Sequence, residues 1–71
     1  MSYKDMYEQY REGAERIDQR ITQLESETKQ TRDVHKRASL YKRIRELEME
    51  RNDMAKTCRD IQKYIERQGG D

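Results

Sequence analysis

The residues with the most chemical potential lie in one stretch of the chain. Residues 29–45 hold Lys29, Arg32, Lys36, Arg37, Lys42, Arg43 and Arg45 against a single acid, Asp33, and the only histidine, His35, sits among them. Elsewhere there are nine basic and fourteen acidic residues, so a net charge of +1 conceals a strong segregation. Cations near a helix N-terminus are placed for anion binding, because free helix N–H groups carry partial positive charge and lysine and arginine add full charges. Without that role they oppose the macrodipole at a cost of about a few tenths of a kcal/mol each. No glycine-rich phosphate loop, zinc-finger spacing or aromatic-interleaved RNA-binding sequence accompanies them. The cluster reads as a solvated face that keeps a thin bundle soluble or as a polyanion contact, with nucleic acid or an acidic protein as the partner classes.

Other chemistry is sparse. His35 has no second histidine and no nearby cysteine, and the Glu-x-x-His pattern of di-iron bundles is absent, so no metal site or cofactor is expected. Cys58 is alone, which excludes an internal disulfide, and it reads as a small packing residue. No nucleophile comes with a base and an orienting group, so no enzyme activity and no small-molecule substrate are inferred. Tyr3, Tyr7 and Tyr10 form an aromatic group near the N-terminus, read as packing rings whose hydroxyls reach water.

The elements that position these residues follow from two heptad tracts. The first is Tyr3, Tyr7, Tyr10, Ala14, Ile17, Ile21, Leu24, Thr28, Thr31; the second is Arg37, Leu40, Ile44, Leu47, Arg51, Met54, Cys58, Ile61, Ile65. Each steps by alternating gaps of three and four, the mark of one helical stripe. The second frame is displaced by two residues, about 200° of helix rotation, so one straight helix cannot keep both stripes on one side. The spacing predicts an all-α antiparallel helical hairpin, with helices over about 3–31 and 35–67 and a reversal near 32–35. The rival is one unbroken helix of roughly 95 to 100 Å.

End signals agree with the hairpin. Ser2 and Asp5 have capping-box spacing, Thr31 or Asp33 can cap the second helix, and Gly69–Gly70 supply a stop, with 68–71 a frayed tail of a single 1–71 domain. In this fold Tyr3 to Leu24 and their facing residues are the apolar core, and the layers of Thr28 with Leu40 and Thr31 with Arg37 are thin. Arg51 interrupts the stripe opposite Ile17; it either reaches the edge or pairs with Glu48, Glu50 or another chain.

Charged residues are 44% and hydrophobic residues 31%, so the stripe is a thin core and self-association is expected. The natural closure is a homodimer of hairpins, a four-helix bundle sharing Tyr7, Tyr10, Ile17, Ile21, Leu24, Leu40, Ile44, Leu47, Met54, Ile61 and Ile65. Met6, Val34, Tyr41, Ala55 and Tyr64 flank the stripe as a second apolar set. The longest apolar run is two residues, so no membrane segment or signal peptide is expected, and the chain reads as a complete cytoplasmic protein. The reading is a structural or protein-interaction (adaptor) module, with nucleic-acid or polyanion binding at the basic turn as the alternative. In architecture it resembles the small plasmid copy-number control hairpins, which implies an RNA-binding bundle; no motif residue carries across.

Overall fold

The computed structural model describes residues 2–68. Two helices account for nearly all of them, α1 (Tyr3–Gln30) and α2 (Val34–Arg67), packed antiparallel along their length. The longest dimension is 53 Å, which excludes the unbroken helix.

Each boundary has a local cause. The Ser2 hydroxyl accepts from the Asp5 N–H at 3.2 Å and satisfies one orphan donor at the start of α1. At the other end Thr31 turns extended (φ −89°, ψ 127°), and its N–H and hydroxyl both donate to the Glu27 carbonyl, at 3.0 and 2.8 Å. Asp33, also extended, caps α2: its Oδ1 accepts from the N–H groups of His35 and Lys36 at 2.9 and 3.3 Å. The chain therefore reverses through Thr31, Arg32 and Asp33 without a glycine, because two extended residues with negative φ and two side-chain caps do the work of a left-handed turn. The helices end and begin one residue earlier than the spacing predicts. The Gly69–Gly70 stop lies outside the described residues; within them Gln68 closes α2.

Within the stripe, burial is best in the layers Ile21 with Leu47 and Leu24 with Ile44 and falls off toward the tyrosine end. Ile21, Leu24, Ile44 and Leu47 form the buried cluster, with Ile17 and Leu40 packed against it. Thr28 joins them at 4% exposure because its hydroxyl donates to the Leu24 carbonyl at 2.8 Å, so burial leaves no polar atom unpaired. Only the last layer is loose: Thr31 is half-buried and Arg37 exposed.

The open half is thinner. Cys58 and Ile61 are buried, Tyr7, Ala14, Met54 and Ile65 half-buried, and Tyr3 and Tyr10 exposed. Two helices cannot enclose tyrosine rings, so the rings lie over the edges of the seam; Tyr3 leans on Tyr64 with centroids 4.6 Å apart. Gly13 faces Met54, and a Cβ there would stand 3.0 Å from the thioether sulfur. The Cys58 thiol donates to the Tyr7 carbonyl at 3.4 Å, a direct link between the helices.

Two outcomes test this packing. Leu24→Ala should cost about 2–5 kcal/mol in urea unfolding, whereas Val34→Ala, at a side chain 76% exposed, should change stability by less than about 0.5 kcal/mol. Burial pushes the Cys58 thiol above its ordinary range; Arg11 opposes the shift and Glu8 adds to it. The unfolded chain releases this proton first as pH rises. The thiol's contribution is thus intact below the ordinary thiol range and is lost as pH climbs through the folded value. Iodoacetamide should accordingly alkylate native Cys58 at least about tenfold more slowly than the urea-unfolded chain at the same pH; equal rates would refute its burial.

Candidate interaction surfaces

Three surfaces surround the seam: two long flanks and the turn. Residues that follow or precede the stripe by one position define the flanks. One flank carries Lys4, Arg11, Asp18 and Glu25 of α1 beside Val34, Tyr41, Glu48, Ala55 and Gln62 of α2. The other carries Met6, Gly13, Arg20 and Glu27 of α1 beside Lys36, Arg43, Glu50, Thr57 and Tyr64 of α2. The second apolar set is therefore divided: Val34, Tyr41 and Ala55 lie on the first flank, Met6 and Tyr64 on the opposite one. Sequence reasoning also passed over Met49, which is 65% exposed on the outer face of α2.

The first flank holds two open grooves. One, of about 320 Å³, lies in the turn half between Glu25, Thr28 and Lys29 of α1 and Tyr41, Ile44 and Glu48 of α2. The other, of about 220 Å³, lies in the open half between Lys4, Tyr7 and Glu8 of α1 and Gln62 and Ile65 of α2. Tyr41 is 50% exposed and stands as a ridge, with a further depression on its other side formed with Val34, Arg37 and Ala38.

Arg51 is the one charged residue set into the seam opposite hydrophobic Ile17. It reaches the edge of the seam, with its side chain 34% exposed, and pairs with neither Glu48 nor Glu50: its Nη1 donates to Asp18 Oδ1 at 2.9 Å and its Nη2 to the side-chain Oδ1 of Asn52 at 3.3 Å. The Asp18 hydrogen bond raises the guanidinium further above its ordinary range, against desolvation, with Glu48 adding at longer range. Asp18 sits on the flank, one position after Ile17, so the pair closes over the seam from the side. Arg11 on the same flank bonds Glu8 at 2.9 Å and approaches Glu15 at 3.8 Å.

At the turn all seven cations are exposed. Among the described residues only Arg43 forms an ion pair, with Glu46 at 3.3 Å. They do not share a face. Arg43 and Arg45 stand about 200° apart on α2, so the charges ring the tip. The expected anion site at the N-terminus of α2 is not free either. Asp33 already accepts from the His35 and Lys36 N–H groups, and its carboxylate is the anion that the helix dipole binds. What remains is a collar of side-chain charge.

Among the described residues no group of three or more His, Cys, Asp or Glu could hold a metal ion, and no helix is long and apolar enough to cross a membrane. Comparison with protein-family models, with curated proteins and with solved structures finds no match.

Proposed function

We propose that the chain is a non-enzymatic helical hairpin that self-associates, as a dimer forming a four-helix bundle, and serves as a structural or protein-interaction module. The observation that supports this reading is incomplete burial. No large side chain of the seam is below 2% exposed, and Tyr3, Tyr10, Tyr41 and Tyr64 stay at 36% or more. A two-helix seam of this kind gains from a second copy what it cannot obtain alone, a layer over its open edges. A reducing, cytoplasmic setting belongs to the same proposal, since the single thiol Cys58 is packed rather than bonded. Sedimentation equilibrium from low micromolar to several hundred micromolar checks it. The apparent mass should rise from 8.7 kDa toward twice that value; a folded monomer throughout would defeat the proposal.

A second reading rests on a different observation, the exposed cations at the turn, of which only Arg43 is ion-paired among the described residues. We propose as the alternative that this collar contacts a polyanion such as nucleic acid. Filter binding of a nucleic-acid probe at about 50 and 200 mM salt tests it, since phosphate contacts by several cations lose orders of magnitude in affinity over that range. Reversal of Arg37, Lys42, Arg43 and Arg45 to Glu should abolish binding while helicity persists. No binding at the lower salt would eliminate this reading.

A further inference from the structure

The charges along the first flank of α1 are ordered. At heptad spacing from the open end they run Lys4, Arg11, Asp18, Glu25, two positive and then two negative. A row of this kind is self-complementary when it meets its own copy in reverse. Lys4 then faces Glu25 of the second copy and Arg11 faces Asp18, each pair occurring twice. Charges that flank a helical seam in this way select partner orientation between helices.

Within the hairpin, Lys4 and Glu25 have no ion pair among the described residues, and both are exposed. Asp18 keeps a side chain 54% exposed while bonding Arg51, and a carboxylate has oxygen lone pairs for a second guanidinium.

We propose that this flank is the docking surface for a second copy of the chain, set antiparallel with the two-fold axis between Arg11 and Asp18. The inference rests on the self-association reading above and names its face and direction. The contacts of Gly13 with Met54 and Asp18 with Arg51 place that axis near residues 53–54 of α2. On α2 the same symmetry sets Glu48 against Arg59 of the second copy, and neither residue is ion-paired among the described residues. The small Ala55 falls at the axis, where the helices must approach most closely. Tyr41, the exposed ridge, comes to lie beside Ile65 of the second copy, at the edge of its open-half groove.

The area suits a dimer. The axis lies about two residues from the middle of α1, so hairpins 53 Å long and 16 Å wide overlap over about 45 Å and cover about 700 Å² per copy. A standard interface takes about 800 Å² per partner. The basic turns project at opposite poles of this dimer. The alternative two-fold would lay α1 over α2 of the second copy. It would bring Asp18 within about two residues of Glu48 and merge the two basic turns, with repulsion in both places.

Sedimentation equilibrium on four proteins tests the flank. Glu25→Lys and Lys4→Glu should each weaken the wild-type dimer by about tenfold, because each turns two attractive contacts into repulsions. The double variant Lys4→Glu with Glu25→Lys should recover wild-type association, since the pairs reform with reversed sign. Both sites are exposed, and circular dichroism checks that the helices persist. A wild-type dimer that all three variants leave unchanged overturns this surface and spares the self-association reading. A wild-type monomer at every concentration overturns both.

Discussion

A seam only two helices wide is the constraint from which the other features follow. A helix in such a pair can bury one stripe and no more, so each heptad offers two core positions and the remaining five must tolerate water. That explains a chain with 44% charged residues that is nonetheless periodic. It explains why burial is best where side chains are compact and branched, at Ile21, Leu24, Ile44 and Leu47, and fails where they are tyrosines. Ring size is a benefit only when there are walls on both sides.

The hairpin was legible because the phase of the stripe and the caps report the same event. A two-residue displacement between heptad tracts demands a reversal, and Asp33 stands where a helix N-cap is needed. The details that escaped the sequence depend on what lies beside a residue rather than along the chain. Thr28 reads as a polar gap in a stripe, yet its hydroxyl bonds the Leu24 carbonyl and it packs as a small apolar residue. Arg51 reads as a charge that reaches the edge of the seam or pairs with Glu48, Glu50 or another chain. Its partner is Asp18, thirty-three residues away, and only a drawing of the flank rows brings the two together. The second apolar set depends on its surroundings in the same way: its members flank the stripe, Val34, Tyr41 and Ala55 on one side and Met6 and Tyr64 on the other.

Asp33 has two consequences that pull in different directions. It makes the turn possible without glycine, and it neutralises the helix N-terminus that would otherwise attract an external anion. The basic collar is left with charge but no preformed cradle of backbone donors. Binding by such a collar is governed by counterion release and by the number of cations within reach, and it discriminates little between ligand shapes.

Affinity and orientation are separable in a hairpin of this composition. Covering the open edges of the seam is non-directional: any docking that hides Tyr41 and Ala55 lowers the exposed apolar area, and parallel and antiparallel copies do so alike. Exposed ion pairs contribute little to affinity, but like charges held face to face exclude an arrangement. The ordered row Lys4, Arg11, Asp18, Glu25 therefore matters most through the direction it selects, since only the antiparallel two-fold sets it against its own copy. The collar acts in the same sense from the other end of the molecule, because a parallel dimer would join two sets of seven cations that are almost unpaired within the chain. The charge sequence on α1 thus favours the antiparallel docking, and the charge excess at the turn disfavours the parallel one. The antiparallel arrangement satisfies both while leaving each basic turn open to solvent at its own pole.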